Sequence, residues 1–391
     1  MTRIGILTGG GDVPGLNSII KSVVYRGWEI GWETIGIRRG WKGLTHLGPA
    51  AASDGEFVVA LSRESTRTID RSGGTILHTS RTNPARMKQD RLPEQLDPGR
   101  LAGLEVAEGR YDLTPVVLEN IERLGLTHLV AIGGDDTLGY ADRLAREGVP
   151  LVAIPKTMDN DVQGTEYCVG FSTAVTRAKE LINRQRTTLG SHERIGVFRI
   201  FGRNSGYSAW YAAYVTSTRC VIPEAPFDLD KLAKLLAEDR AANPSRYALV
   251  IASEGASWAG GTLEEYGEPD AYGHRRPVDV GSMLADELHR RTGVEAVHSD
   301  LTYDLRSGDP DALDQMVATT FANVAVDLLA AGVHGRMVAI RDGKYSHAAL
   351  PDPALGPRHV AVATMYSTER FRPMYDHRLG MPLLLGPSIG A

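Results

Sequence analysis

The stretch THLVAIGGDDTLGYADRLAREGVPLVAIPKTMDND, residues 127–161, decides the fold of this chain of 391 residues. It contains two short apolar runs, residues 127–132 and 149–154, separated by an amphipathic segment, residues 138–147, that ends at Gly148. Apolar runs that alternate with amphipathic segments are typical of parallel β-strands joined by helices. The stretch therefore predicts a strand–helix–strand unit of an α/β protein.

The same alternation extends over most of the chain. Near the N-terminus, Arg3–Thr8 predicts a strand, and a helix opened by Pro14 follows it. The other predicted elements are strands at 194–200 and 247–252, helices at 228–240, 280–291 and 311–331, and a hairpin at 336–349. Glycines and charged residues collect directly after the strands, at the edge where open α/β sheets bind ligands. We therefore expect the functional residues to lie in these loops.

The composition excludes several classes of function. With 43 basic and 48 acidic residues, the net charge of −5 leaves no basic surface of the kind that nucleic acids require. Cys168 and Cys220 are the only cysteines, too few for a disulfide framework or a zinc site. No run approaches the roughly 18 apolar residues of a membrane span, and the first residues do not resemble an export signal. We expect a cytoplasmic protein without nucleic-acid or membrane partners.

A glycine-rich loop follows the first predicted strand. Gly9-Gly10-Gly11-Asp12 lies between that strand and the helix that Pro14 opens, where free backbone amides and the helix dipole favour a phosphoryl group. The alternative is a tight turn that needs glycine for its dihedral angles. The spacing matches neither the dinucleotide-binding fingerprint nor the P-loop.

Asp135 and Asp136 follow the first strand of the opening stretch, residues 127–132. Two adjacent carboxylates repel each other unless a cation joins them, and Mg²⁺ is the natural candidate. The alternative, an aspartate that caps the next helix, explains one carboxylate but not both.

Lys156-Thr157-Met158-Asp159-Asn160-Asp161 combines a cation, a hydroxyl and two carboxylates after the third strand. One carboxylate could act as a general base while Lys156 offsets phosphate charge. A calcium loop is excluded because Gln163 and Gly170 stand where acidic ligands belong. A polar turn remains the alternative.

Together these segments resemble the phosphofructokinase family. The motifs that show the resemblance are residues 8–17, Gly133-Gly-Asp-Asp-Thr137, Pro155-Lys-Thr-Met-Asp-Asn-Asp161, Phe201-Gly-Arg203 and Ser253-Glu254-Gly255. They occur in the family's order, and the likeness covers most of residues 1–330. The resemblance implies an α/β fold of two Rossmann-like three-layer lobes with mainly parallel sheets, an active site in the cleft between the lobes, and a homodimer or homotetramer.

The resemblance also implies a division of the chain. A phosphoryl-donor and magnesium lobe is expected to span residues 1–170 with a return segment at about 305–360. A sugar-phosphate lobe would span residues 171–304, and a C-terminal extension residues 361–391. Residues 54–109 form the least regular stretch and are expected to cross between the lobes or to form a lid. Residues 366–373 are expected to pack over the cleft or at a subunit contact.

Carried over motif by motif, the resemblance assigns roles to single residues. Asp159 is the base that removes a proton from the sugar's 1-hydroxyl, and Asp135 is the magnesium-associated aspartate. Gly10 and Arg81 contact the phosphoryl donor, and Thr157 and Asp161 support the transferring group and the base. The residues assigned to fructose 6-phosphate are Phe201, Gly202, Arg203, Glu254, Tyr303 and Arg306, with Arg194 reaching over from a neighbouring subunit.

The choice of phosphoryl donor depends on Asp136 and Lys156. Relatives that use ATP typically have glycine at position 136, whereas those that use pyrophosphate have this aspartate and this lysine. An added carboxylate beside an α-phosphate brings volume and a repulsion on the order of several kcal/mol at an effective dielectric constant near 20. We therefore expect Mg²⁺-dependent, reversible transfer of phosphate from pyrophosphate to fructose 6-phosphate, a step of glycolysis or gluconeogenesis.

Three other functions stay open at this point. One is an ATP-dependent 6-phosphofructokinase, and another is a pyrophosphate-dependent kinase of a different sugar phosphate. The second is favoured by Val297, which stands where many bacterial members have a phosphate-binding arginine. A non-catalytic regulatory subunit is the third, although such a subunit would be expected to lack Asp159 or Asp135. Phe201 in place of the usual methionine, and Tyr303 in place of the usual histidine, are the other departures from the common bacterial pattern.

Overall fold

The larger of two main sheets has seven strands. The structure, a computed structural model, describes residues 2–48, 55–258, 265–266, 276–277 and 279–376. The strands of the large sheet are β1 (Arg3–Thr8), β2 (Glu33–Ile37), β3 (Val58–Leu61), β7 (His128–Gly133), β8 (Leu151–Pro155), β15 (Arg336–Arg341) and β16 (Lys344–Ala349). Their spatial order is β16-β15-β8-β7-β1-β2-β3, and only the two edge strands, β16 and β3, pair antiparallel.

The four-stranded sheet is entirely parallel. Its strands are β9 (Ile195–Ile200), β10 (Arg219–Val221), β11 (Ala248–Ser253) and β14 (Ala296–Leu301), in the order β10-β11-β9-β14. The remaining strands form small sheets and are β4 (Met87–Lys88), β5 (Glu105–Ala107), β6 (Arg110–Tyr111), β12 (Glu265–Tyr266), β13 (Arg276–Pro277), β17 (Tyr366–Ser367) and β18 (Arg372–Pro373).

Twelve helices are seen in the described part of the chain. They are α1 (Leu16–Glu29), α2 (Trp41–Thr45), α3 (Pro98–Leu101), α4 (Thr114–Arg123), α5 (Asp135–Arg146), α6 (Phe171–Ser191), α7 (Tyr207–Thr216), α8 (Leu229–Ala242), α9 (Val280–Thr292), α10 (Tyr303–Arg306), α11 (Ala312–Ala330) and α12 (Val362–Met365). None of the helices in the described ranges is long and apolar enough to cross a membrane.

The central strands of the large sheet are buried on both faces, as expected of a parallel sheet covered by helices. Their side chains alternate between two cores. In β7, Val130 and Ile132 face the core of α1 and α11, whereas Leu129 and Ala131 face the core of α4 and α5. This alternation, with helices on each face, gives the three layers of the first lobe.

The predicted α/β fold is confirmed, with small shifts at element ends. The hairpin at 336–349 is present as β15 and β16, and each predicted helix and strand lies within three residues of an observed one. The largest shift is at α5, which begins at Asp135 rather than at residue 138. Acidic side chains in the first turn of a helix are stabilised by its dipole, so the two aspartates belong to the helix.

The strand register brings the functional loops together. In the large sheet, Thr8 pairs with Ile132 and Gly133 pairs with Pro155, so three loops leave the same edge side by side. In the four-stranded sheet, Ile200 pairs with both Ser253 and Leu301, and three further loops leave the carboxyl edge of this sheet.

Candidate active site

In the glycine-rich loop after β1, Gly9 is required by close packing and Gly10 by its backbone conformation. A Cβ at Gly9 would lie 2.5 Å from Thr137 Oγ1. Gly10 has a φ of 78°, a left-handed conformation that glycine adopts without strain. The Gly10 amide donates to the Ser80 carbonyl at 3.1 Å, and Thr79 Oγ1 donates to the Gly10 carbonyl at 2.6 Å. The segment that ends at Arg81 therefore covers this loop.

Asp135 and Asp136 form the first turn of α5 at the same sheet edge. The Asp135 side chain reaches solvent, yet partial burial together with repulsion from Asp161 and Asp136 raises its pKa to about 7. Asp161 and Asp136 thus place negative charge near Asp135 that a bound cation would offset. The sequence motif had placed two of these acids together, and the third comes from the loop after β8.

Lys156 is buried beside the glycine-rich loop, with 3% of its surface exposed. Its Nζ donates to the Gly11 carbonyl at 2.5 Å. Burial and the nearby Arg306 guanidinium lower the pKa of Lys156 to about 8, although Asp12 opposes that shift. Arg306 pairs with Asp12 at 3.1 Å, so two cations from distant parts of the sequence meet at this loop.

Asp159 lies where the two lobes meet. Its amide donates to Thr157 Oγ1 at 3.1 Å. Burial raises the pKa of Asp161, and the nearby Thr157 side chain is among the groups that oppose this rise. Asp159 Oδ1 is enclosed and accepts no hydrogen bond from any described residue. Burial, then repulsion from Asp161 and from Glu254 of the other lobe, raises the pKa of Asp159 well above its usual range. An enclosed carboxylate oxygen without a donor is suited to accept a proton from a bound hydroxyl.

Loops of the four-stranded sheet form the other wall of the site. Gly202 has a φ of 129°, and its carbonyl accepts hydrogen bonds from Ser253 Oγ at 2.7 Å and from the Gly255 amide at 3.1 Å. These bonds fasten the loop after β9 to the loop after β11. As a result, Arg203 and Glu254 interact electrostatically.

Two aromatic rings flank the Arg306 guanidinium. Its Cζ lies 5.9 Å from the centre of the Phe201 ring and 5.1 Å from that of Tyr303. The rings themselves meet edge to face at 6.2 Å, within the range of favourable aromatic pairs. Tyr303 remains 70% exposed, so this wall of the site is open.

Arg194 is not brought to the other predicted residues within one chain. It precedes β9, whereas Phe201 and Arg203 follow that strand, so a length of roughly 20 Å separates them at about 3.3 Å per residue. Its guanidinium pairs with Glu295 at 2.8 Å. A role for Arg194 at the active site therefore requires a neighbouring subunit.

The sequence patterns did not indicate two further charged residues near the site. Burial raises the pKa of Glu254, and Arg199, on β9, opposes that rise. Arg199 also pairs with Asp300 at 2.7 Å. Arg358 contacts the loop that contains Asp159. Neither residue belongs to a motif. The one signal for Arg199 is that it is a charged residue in the otherwise apolar strand β9, and no local signal marks Arg358.

Two α/β lobes, with a glycine-rich loop and clustered carboxylates on one side and arginines on the other, define a phosphotransferase. The family model described as phosphofructokinase matches residues 3–329, and the chain belongs to this family. The chain is 38% identical, over 87% of its length and 90% of the relative, to pyrophosphate–fructose 6-phosphate 1-phosphotransferase of Amycolatopsis methanolica. It is 37% identical, over 90% of its length and 94% of the relative, to ATP-dependent 6-phosphofructokinase 3 of Streptomyces coelicolor.

Solved structures show the same fold. The crystal structure of a pyrophosphate-dependent phosphofructokinase from Nitrosospira multiformis superposes with a TM-score of 0.75 and covers 99% of this chain and 92% of that one. The identity is 15%, so this likeness concerns the fold alone. The expected phosphofructokinase fold is confirmed, whereas relatives of both donor types occur at similar identity.

Proposed function

We propose that this phosphofructokinase transfers a phosphoryl group from pyrophosphate to the 1-hydroxyl of fructose 6-phosphate. The observation that supports this most directly is Asp159 Oδ1, which is enclosed, unpartnered among the described residues, and situated between the lobes. Asp159 accepts the hydroxyl proton while the oxygen attacks the terminal phosphorus. The phosphoanhydride bond breaks, a phosphoester forms, and orthophosphate leaves. Because one anhydride is exchanged for one ester, the reaction runs in both directions.

Positioning and charge stabilisation do most of the work in such a reaction. Lys156 lies beside Gly11, and a Cβ added at Gly10 would be 3.5 Å from its Nζ, so the ammonium faces the loop that receives the donor. Arg306 adds a second cation at Gly11. Thr157 orients Asp159 through its hydroxyl, and Arg81 closes the donor side.

Magnesium fits the acidic side of the site. No group of three or more metal-ligating side chains is found in the described ranges, but Mg²⁺ in phosphoryl-transfer enzymes typically binds one or two carboxylates, waters and the substrate phosphates. Burial, and after it the charges of Asp161 and Asp136, raise the pKa of Asp135, and such an ion would relieve the repulsion among these carboxylates. Asp135 would hold the ion, assisted by the neighbouring carboxylates. Bound there, Mg²⁺ would neutralise charge on the donor.

Pyrophosphate is proposed as the donor because of Asp136 and Lys156. Asp136 lies in the first turn of α5, next to Asp135, the residue proposed to hold the magnesium ion of the donor. A carboxylate there repels the α-phosphate of a nucleotide but leaves room for a two-phosphate donor. The similarity to an ATP-dependent enzyme keeps ATP as the second candidate donor.

Fructose 6-phosphate is proposed to bind the wall built by the four-stranded sheet. Phe201, Gly202, Arg203 and Glu254 come from adjacent loops, Tyr303 and Arg306 from α10, and Arg194 from a neighbouring subunit. Val297 packs against the hydrophobic core and contributes no cation, so another sugar phosphate is the alternative acceptor. The proposal implies a homodimer or homotetramer in the cytoplasm, with the donor lobe at 1–170 and about 305–360, the sugar lobe at 171–304 and the extension at 361–391.

The deciding experiment is a donor-by-acceptor assay with Mg²⁺, in the native protein and in Asp136→Gly. Turnover with pyrophosphate and not with ATP is expected for the native protein, and Asp136→Gly should relax this preference. Asp142→Gly is the matched control because it places glycine in the same helix away from the loop. Turnover of the native protein with ATP alone would refute the proposed donor, and preference for another sugar phosphate would refute the proposed acceptor.

A further inference from the structure

A segment beyond the family match fastens the lobe of the four-stranded sheet to the catalytic loop, which is the segment 156–170 between β8 and α6 that contains Asp159. This C-terminal strap, residues 357–376, follows the region of 3–329 that the family model matches. Its Val360 amide donates to Glu224 Oε1 at 2.8 Å. The His359 carbonyl accepts from Tyr207 Oη, and the Met365 carbonyl from Trp210 Nε1, each at 2.8 Å. The strap is thus fixed to α7 and to the loop after β10.

Arg358 extends from this strap back to the loop that contains Asp159. Its amide donates to the Asp161 carbonyl at 2.6 Å. Its Nη2 donates to the Asn160 carbonyl at 2.7 Å and to the Glu166 carbonyl at 3.3 Å. The side chain is 6% exposed and stacks over the Tyr207 ring at 4.5 Å. Arg358 therefore hydrogen-bonds the catalytic loop at two places, at Asn160 and Asp161 beside the base and at Glu166 further along the loop.

The catalytic loop has a backbone conformation that needs external support. Asn160, between the two aspartates, has a φ of 53°, in the left-handed region that residues other than glycine adopt less readily. Its side chain is fixed at both ends, since Nδ2 donates to the Glu166 carbonyl at 3.0 Å and Oδ1 accepts from the Cys168 amide at 2.9 Å. Such a conformation persists where the surroundings over-determine it.

Arg358 is placed poorly for stability alone. Its Nε and Nη1 are enclosed and find no hydrogen-bond partner among the described residues, which is costly for a buried cation. The positive charge does have a local effect, because burial raises the pKa of Asp161 and the Arg358 guanidinium opposes that rise. A costly buried charge kept beside catalytic groups indicates a functional role.

We propose that Arg358 is a positioning residue for phosphoryl transfer, which fixes the left-handed turn at Asn160 and thereby aims Asp159 at the acceptor hydroxyl. This inference rests on the proposed role of Asp159. It assigns a task in the reaction to a residue that lies outside the matched family region. The C-terminal strap is then part of the catalytic apparatus, although it touches neither substrate.

The test compares Arg358→Lys and Arg358→Met with the same changes at Arg372. Arg372 lies in the same strap but pairs with Asp239 and with the Ser217 carbonyl, away from the loop. Turnover is measured with whichever phosphoryl donor supports it. Since a misplacement of about 1 Å costs about 100-fold in rate, kcat should fall about 10- to 100-fold in both Arg358 variants, with little change in either KM. The Arg372 variants should keep kcat.

Chemical rescue separates positioning from folding. Added guanidinium at a concentration below that which unfolds the protein should restore part of kcat in Arg358→Ala and should not affect Arg372→Ala. Unchanged kcat in Arg358→Met, or equal losses in the Arg372 variants, would overturn the inference. If Arg358→Met or Arg358→Ala does not fold, Arg358→Lys decides, because lysine retains the charge but not the geometry. Normal turnover of Asp159→Asn would instead refute the proposed base, whatever the Arg358 variants do.

Discussion

The side of the cleft proposed to bind the phosphoryl donor and the side proposed to bind the acceptor, called the donor side and the acceptor side, are built in opposite ways. The donor side comes from three adjacent strands, β1, β7 and β8. Its inner part is tightly packed, since Lys156 is buried and Gly9 packs on Thr137, whereas Asp135 reaches solvent. The acceptor side is open, with Tyr303 largely exposed and Arg194 at the far end of its own strand. We propose that one chain completes the first site alone and that the second site needs Arg194 of a neighbouring subunit.

The largest effect is expected at the point where the two sides meet. Asp159→Asn removes the proton acceptor but preserves the shape of the side chain. We expect kcat to fall by about 10²–10⁴-fold with substrate binding nearly unchanged, measured by steady-state kinetics and isothermal titration. Asp304→Asn, at an exposed position of α10, is the control and should keep full turnover. Near-normal turnover of Asp159→Asn would reject the assignment of the base.

The dependence of the acceptor side on a neighbour can be tested by mixing subunits. Arg194→Ala should raise KM for the acceptor about 10- to 100-fold, the size of a lost charge-assisted hydrogen bond, and leave KM for the donor unchanged. Hybrids of Arg194→Ala and Asp159→Asn subunits should recover activity. In such a hybrid, one site combines Asp159 of the Arg194→Ala subunit with Arg194 of the Asp159→Asn subunit and is therefore intact.

Glu295→Gln is the control for that experiment, since it breaks the ion pair of Arg194 within the chain but leaves the guanidinium in place. It should have little effect on KM. Hybrids no more active than the average of their parents would contradict the proposal that Arg194 acts across a subunit contact.

The rigidity of the donor side can be tested at Gly133. A Cβ there would lie 2.3 Å from Thr137 Cβ, so Gly133→Ala must push β7 away from α5. We expect a loss of about 1–3 kcal/mol in the free energy of unfolding, together with a higher KM for the donor. Urea denaturation and kinetics measure both. Gly103→Ala is the control, because its Cβ would meet nothing closer than 3.7 Å, and equal losses in the two variants would count against tight packing at the donor loop.

The smallest effect is a difference between two pH profiles. Lys156 is charged below its lowered pKa of about 8 and loses its charge above it, while Arg306, Asp12 and Arg81 surround it. We expect kcat/KM for the donor to fall by about tenfold per pH unit above that value. The value of kcat/KM for the acceptor, measured with saturating donor, should stay flat there because a bound anion keeps Lys156 protonated. Identical alkaline limbs in both profiles would contradict this assignment.

Much of the donor side was predictable because its signals are local. Each of its motifs is contiguous in sequence: the strand before Gly9, the acids after Gly133, and residues 156–161. Because parallel strands end at one edge of a sheet, the sequence also predicts that these motifs meet. Arg199 and Arg358 were not predictable, because their partners are 101 and about 200 positions away in sequence. The roles of the individual site residues and the division into lobes remain predictions.

The amino-acid sequence by itself determined the alternation of strands and helices and the chemistry of each loop, because periodicity and turn residues act over a few positions. Only the tertiary structure decided the state of those groups. The lowered pKa of Lys156, the enclosed oxygen of Asp159 and the left-handed turn at Asn160 arise from burial and from contacts with distant segments. Electrostatic and packing energies depend on distance in space, and that distance is fixed only when the chain has folded.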